Sequence, residues 1–138
     1  MQIARRLILA VLAAGGLAPF IGARRLLAAI PHGWPADAPV TARLVALFAA
    51  PESAAAIGRA YLAERPMEAD PETLVAGILP GRSARELAML DGTRLRALVR
   101  ERHRGDFAAG RTATLSGWIL SRTELRLCAL AALSRQLG

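Results

Sequence analysis

Apolar side chains recur at intervals of three and four residues through most of the chain after residue 40, a spacing that predicts amphipathic helices. Prolines, glycines and capping residues divide this region into segments that begin near residues 40, 51, 70, 83 and 93. A further segment, from about Ser121 to Gln136, is apolar around nearly its whole girth, which is typical of a buried helix. The sequence therefore predicts an all-α fold, a small bundle of about five to six helices packed around the last one.

Three of these segments carry more detailed expectations. Helical spacing predicts that the first runs over Val40–Ala50. The longest, from Thr93 to Gly110, is expected to direct Leu95, Leu98, Val99 and Phe107 toward the core. Cys128, among leucines and alanines of the last helix, is expected to be a small buried hydrophobe.

The period changes near residues 111–119, where Thr112, Thr114 and Ser116 alternate with small or apolar residues. Alternation of this kind predicts a short extended segment or a two-stranded corner, with Ser116-Gly117 as a turn. A hairpin alone is only marginally stable, so we expect it to lie on the helices with Trp118 as its anchor.

Two capping boxes mark helix starts. Ser83-x-x-Glu86 and Ser121-x-x-Glu124 each place a hydroxyl and a carboxylate where they satisfy free backbone donors reciprocally. Because capping accounts for these four side chains, none of them requires a catalytic explanation.

The first 30 residues predict an export signal or a membrane anchor. Arg5 and Arg6 precede 17 uncharged residues, Leu7–Ala23, and the pattern Arg5-Arg6-Leu7-Ile8-Leu9 resembles the twin-arginine export signal in Arg5, Arg6, Ile8 and Leu9. Whether this segment is cleaved or stays as an N-terminal hydrophobic anchor helix is open. The predicted organisation is a signal or anchor over 1–30, a Pro-rich linker over 31–39 and a helical domain over 40–138.

Composition supports a helical protein and argues against nucleic-acid binding. Hydrophobic residues make up 54% of the chain, mostly alanine and leucine, and aromatic residues only 4%. The net charge is +7, but Arg5, Arg6, Arg24 and Arg25 lie in the first 30 residues. The helical domain is therefore only mildly basic, and we expect no nucleic-acid partner.

No pattern of catalytic or metal-binding residues is present in the sequence. Its two histidines are 71 positions apart, its single cysteine completes no zinc spacing, and no nucleophile elbow or phosphate-binding loop occurs. We therefore expect no catalytic residue, no cofactor and no metal, and a protein that is not an enzyme by itself.

Partner docking, rather than nucleic-acid binding, is the functional interpretation that we keep for the remaining residues. Arg96, Arg100 and Arg104 recur at every fourth position and so form one stripe on a helix. Trp118 beside Gly117 combines a bulky aromatic with a flexible backbone. These four residues are candidate docking residues, and a simply solvated face is the interpretation that we favour for the arginine stripe.

In outline the chain resembles the small subunits of membrane-bound flavin dehydrogenases for sugars and polyols, such as the sorbitol, fructose and gluconate dehydrogenases. The resemblance rests on Arg5, Arg6, the length and the helical character. It implies a non-catalytic accessory or escort subunit of an exported oxidoreductase, with a larger protein partner, in the periplasm or anchored to the inner membrane. A stand-alone, membrane-anchored periplasmic structural or binding protein of unknown ligand is the alternative.

Overall fold

The computed structural model describes residues 38–136, which form six α-helices, one 3-10 turn and a two-stranded sheet. In chain order these are α1 (Val40–Val45), α2 (Pro51–Glu64), the 3-10 turn (Pro66–Glu68), α3 (Pro71–Ile78), α4 (Ala84–Met89), α5 (Gly92–Ala108), β1 (Thr112–Leu115), β2 (Trp118–Ser121) and α6 (Arg122–Gln136). The predicted helical fold with a short extended segment is confirmed for this part of the chain. The predicted export signal or anchor over 1–30 lies outside the described residues, as does the linker up to residue 37.

Helix α6 forms the centre of the bundle. It packs most extensively against α2 and also contacts α3, α1 and α5. Between Thr123 and Ala132 it buries side chains on every side, because its sequence offers leucine and alanine around the whole girth. The prediction that the last helix is the central one is confirmed.

Leucines from all around the bundle fill one continuous core around α6. Leu44, Leu74, Leu95, Leu125 and Leu130 are each at most 1% exposed. Burying a leucine side chain contributes about 1.5–3 kcal/mol, so this cluster is the main source of stability.

Helices α2 and α6 approach unusually closely at Gly58. A Cβ atom at this position would lie 2.0 Å from the backbone oxygen of Cys128. Glycine removes that obstacle, and the alanines Ala54, Ala55 and Ala131 extend the close contact as a second small cluster with Cys128. The two helix backbones therefore pack against each other with almost no side chain between them.

The two strands form an antiparallel hairpin in which Leu115 pairs with Trp118 and Thr112 with Ser121. Its two-residue loop is Ser116-Gly117, with φ angles of 52° and 85°. Positive φ at both positions is the signature of a type I′ turn, whose twist matches that of the strands. The predicted turn is therefore confirmed.

The helix starts follow local sequence signals. The carboxylate of Asp70 accepts the backbone N–H of Thr73 at 2.8 Å. Ser83 and Glu86 form a reciprocal capping box, with Ser83 Oγ accepting the Glu86 N–H at 3.2 Å and Glu86 accepting the Ser83 N–H at 2.7 Å. Each interaction satisfies a donor that has no partner within the first helical turn.

The first helix is shorter than the sequence pattern predicts. It ends at Val45, and the N–H groups of Leu47 and Phe48 bond back three residues to Leu44 and Val45. The residue before a proline disfavours helical geometry, so Ala50, with φ −130° and ψ 74°, separates this first helix from α2. Leu47 nevertheless stays buried in the core.

Over residues 38–136, no helix combines the length and apolar character needed to span a membrane.

Candidate functional site

A buried carboxylate joins the end of α5 to the start of α6. Asp106 is almost completely buried, and its Oδ2 accepts the backbone N–H of Thr123 at 2.8 Å and the Thr123 hydroxyl at 2.6 Å. Its Oδ1 accepts the Nε–H of Arg111 at 2.9 Å. A carboxylate at a helix N-terminus is also favoured by the helix dipole. Asp106 therefore caps α6 from a different helix.

The environment of Asp106 keeps it ionised. Burial by itself would raise its pKa, but the hydrogen bonds from Thr123 and the guanidinium of Arg111 outweigh burial and hold the pKa below its usual range. At neutral pH the group is therefore a fixed negative charge at the start of α6. Its ion-pair partner is Arg111, not Arg102, which lies one helical turn before it on α5.

Ser121 and His103 complete this junction. Ser121 Oγ accepts the backbone N–H of Glu124 at 3.0 Å and lies 3.0 Å from His103 Nδ1. The carboxylate of Glu124 does not close the predicted box on Ser121 but lies 4.0 Å from the same His103 nitrogen. The second predicted capping box is thus formed only in its Ser121 half, and the Glu124 carboxylate lies near His103 of α5 instead.

Ser121, His103 and Glu124 do not form a catalytic relay. A relay needs the imidazole between the hydroxyl and the carboxylate, one on each ring nitrogen. Here both groups face Nδ1, and Ser121 is fully buried with its hydroxyl already used as a helix cap. Burial raises the pKa of Glu124, and His103 and the Ser121 hydrogen bond only partly offset this effect. The cluster fixes the start of α6.

A second polar network ties α6 to the opposite side of the bundle. Glu68 Oε2 accepts hydrogen bonds from Tyr61 Oη and from Arg126 Nε, both at 2.9 Å. Arg126 also donates to the backbone oxygen of Gly77 at 3.2 Å, where a side chain at residue 77 would collide with the guanidinium. Burial by itself would raise the pKa of Glu68, but the hydrogen bonds from Arg126 and Tyr61 outweigh burial. The pKa of Glu68 is therefore below its usual value. This network is structural too.

The predicted arginine stripe lies on one flank of α5, which we call the arginine flank (Arg96, Arg100 and Arg104). Arg100 and Arg104 are exposed. Arg96 is half-buried, and its Nε has no hydrogen-bond partner within the part of the chain that the structure describes. In the same part of the chain, the recorded ion pairs involve His103, Arg111, Arg126 and Arg135, and none involves the flank.

The arginine flank ends beside exposed apolar side chains, which we call the apolar corner (Phe107 and Ile119). Phe107 is 47% and Ile119 63% exposed. Phe107 stacks edge-on against His103 with ring centroids 5.2 Å apart, and His103 contacts Ser121, which shares a strand face with Ile119. Both residues of the corner therefore flank the His103–Ser121 contact.

The inward placement predicted for Phe107 is wrong. Leu95, Val99 and Asp106 occupy the core side of α5. Successive helical residues are rotated by about 100°, so an inward Asp106 turns Phe107 outward. The polar capping of α6 thus places an aromatic ring on the surface.

Trp118 lies on a different side of the hairpin from the apolar corner. It is paired with Leu115, whose side chain faces the core, and it is 36% exposed at the turn. Directly opposed residues of an antiparallel pair share a face, so Trp118 lies on the same face as Leu115. Its neighbour Ile119 points to the opposite face, because successive residues of a strand alternate. Arg96, Arg100 and Arg104 thus lie along one side of α5 with Phe107 one turn beyond Arg104, whereas Trp118 lies on the hairpin face opposite to that of Ile119.

Sequence reasoning missed Asp106, Phe107 and Ile119 as members of this site. Asp106 lies one helical turn after His103, but its partner Thr123 is 17 residues away, and no local motif links them. The alternation in β2 contained a usable signal for Ile119, because it puts this residue on the same face as Ser121.

An open depression of about 420 Å³ lies between α4 and α5, lined in part by Arg82, Arg85 and Arg94. Its two carboxylates, on Glu86 and Asp91, are already used as helix caps. Across residues 38–136, no group of three metal-ligating side chains comes together.

Comparisons with known proteins found no matching family model, no similar curated protein and no similar solved structure.

Proposed function

We propose that this chain is a non-catalytic accessory subunit of an exported oxidoreductase and that it binds its larger partner through the arginine flank and the apolar corner. The observations that carry the proposal are the exposure of Phe107, one helical turn after the exposed Arg104, and the exposure of Ile119 on the strand whose Ser121 contacts His103. Interface cores are enriched in aromatic residues and arginine, and a few such residues supply most of the binding free energy.

The use of the buried polar groups also supports a binding role. The hydrogen bonds of Asp106, Ser121 and Glu68 hold helices together. The accessible chemistry on α5 and β2 is therefore apolar surface and guanidinium groups, which recognise a partner rather than transform a substrate. The twin-arginine-like start at Arg5 and Arg6 supports an exported partner with a complex redox cofactor.

Native copurification tests the proposal. The full-length chain, tagged at its C-terminus, is isolated from periplasmic and membrane fractions under low-salt conditions. We expect a larger protein in fixed ratio, carrying flavin or molybdenum detected by absorbance or metal analysis. Recovery of the chain alone would contradict the proposal, and retention of that lone chain in the membrane fraction would favour a stand-alone membrane-anchored protein.

A matched pair of variants tests the surface itself. Phe107→Ser with Ile119→Ser is expected to reduce the copurified cofactor at least tenfold, because it removes the apolar anchors of the interface. Met67→Ser with Met89→Ser removes similar exposed apolar side chains elsewhere and is expected to have little effect. Circular dichroism verifies that both variants fold. Equal losses in the two variants would count against this surface.

A further inference from the structure

The arginine flank and the apolar corner have a spacing that a helical partner can match. Arg100 and Phe107 are seven residues apart, so they lie within about 20° of each other around α5, and Arg104 lies within about 60° of Phe107. At 1.5 Å per residue, Arg100 and Arg104 are separated by about 6 Å along the axis, and Phe107 follows about 4.5 Å further on. Two cationic groups are thus followed at once by an apolar one.

The charge on this side of α5 is predominantly positive. Arg100 and Arg104 are exposed, and no ion pair is recorded for either among the described residues. Half-exposed His103 lies between them and β2. Glu101, the nearest acid on the helix, is rotated by about 100° from Arg100 and by about 60° from Arg104, on the side away from Phe107. The complement of this surface is therefore a pair of carboxylates.

We infer that the arginine flank and the apolar corner bind an acidic amphipathic helix of the partner protein, in which two carboxylates four residues apart precede an apolar side chain. This inference rests on the proposed function. Arginine forms two-pronged hydrogen bonds to carboxylates, and an apolar side chain of the partner helix covers Phe107 and Ile119.

The size and composition of the surface favour a protein partner over a nucleic acid. Duplex-binding proteins commonly neutralise about 6–10 phosphates. The flank offers two exposed arginines and a third that is half-buried, and it ends on apolar side chains rather than on further cations. Two charges with an apolar anchor suit a short segment of a folded protein.

A designed peptide tests the inference. The probe is a fluorescein-labelled helical peptide with the pattern Glu-x-x-x-Glu-x-x-Leu, and its control replaces both Glu residues with Gln. Fluorescence anisotropy with the purified full-length chain measures binding at low salt. We expect the Glu peptide to bind at least tenfold more tightly than the Gln peptide, and its affinity to fall as salt is raised. Equal binding of the two peptides would overturn the inference.

Charge reversal locates the binding site. Arg100→Glu with Arg104→Glu is expected to weaken binding of the Glu peptide at least tenfold. Arg82→Glu with Arg85→Glu makes the same change of charge at exposed positions outside the surface and is expected to change binding less than twofold. Equal effects would show a general charge attraction and overturn the inference. Tighter binding of a DNA duplex or of anionic phospholipid vesicles through Arg100 and Arg104 would also overturn it.

Comparison of the peptide and copurification experiments separates this inference from the proposed function. If the large redox subunit copurifies but Arg100→Glu/Arg104→Glu does not release it, the acidic-helix inference fails and the accessory function stands. If the Glu peptide binds through the flank but no redox partner copurifies, the recognition chemistry stands and the accessory function fails.

Discussion

At the scale of single residues, Asp106 is the side chain on which the junction between α5 and α6 depends. It satisfies the second N–H of α6 and holds Arg111 at the entry to β1, so one carboxylate orients three elements. A helix usually obtains this cap from its own first turn. Here Ser121 supplies one local cap, and Asp106 supplies the other from 17 residues away.

Asp106→Asn is expected to lower the free energy of unfolding by about 2–3 kcal/mol, because the amide loses the charge-assisted hydrogen bonds to Thr123 and Arg111. Urea denaturation at pH 7 measures the change. Asp70→Asn is the matched control, since Asp70 is an exposed cap and asparagine caps helices as well as aspartate does. A loss no larger than that of the control would contradict the role assigned to Asp106.

Because the pKa values of Asp106 and Glu68 are lowered in the folded protein, its stability decreases at acidic pH. A carboxyl with a folded-state pKa below its unfolded value of about 4 stabilises the fold above that pH, and this contribution is lost as the pH falls through the folded-state pKa. Glu124, with a raised pKa, acts in the opposite sense. We expect urea midpoints to fall steadily below about pH 4, with a shallower fall in Asp106→Asn. An identical slope in this variant would contradict the expectation.

At the scale of elements, the contact between α2 and α6 depends on the missing side chain of Gly58. Gly58→Ala is expected to cost about 3 kcal/mol, because the new methyl group collides with the rigid backbone of Cys128 and the helices must separate. Gly92→Ala is the control, since nothing lies within 4 Å of that position, and it should be neutral or slightly stabilising. Thermal unfolding compares the two. Similar melting temperatures would contradict the close packing.

Elements whose signals are local could be predicted from the sequence. The Ser83–Glu86 box lies within four residues, and the apolar girth of α6 is continuous, so both follow directly from the residues. The end of α1 and the exposure of Phe107 could not be predicted in this way. Residues 46–50 hold no capping or helix-breaking residue that would mark the end of α1 at Val45, and the exposure of Phe107 depends on Asp106 reaching Thr123, a tertiary contact that leaves no trace in helical spacing.

At the scale of the whole molecule, the sequence predicts a helical domain that works outside the cytoplasm. Arg5→Lys with Arg6→Lys is expected to leave the full-length chain in the cytoplasmic fraction, since a twin-arginine-type signal depends on both guanidinium groups. Immunoblots of fractionated cells measure the distribution. Arg24→Lys with Arg25→Lys is the matched control. Unchanged localisation of the Arg5/Arg6 variant would contradict this export route.

The packing around Gly58 makes the reactivity of Cys128 a measure of how often α2 and α6 separate. Cys128 is the only cysteine and lies buried at that contact, where burial and the nearby carboxylate of Glu124 raise the pKa of its thiol. Because alkylating reagents react with the exposed thiolate, the labelling rate of the native protein reports how often α2 and α6 separate. We expect labelling to be at least a hundredfold slower than in the urea-unfolded chain and to accelerate in Gly58→Ala. Rapid alkylation of the native protein would show that these helices part freely.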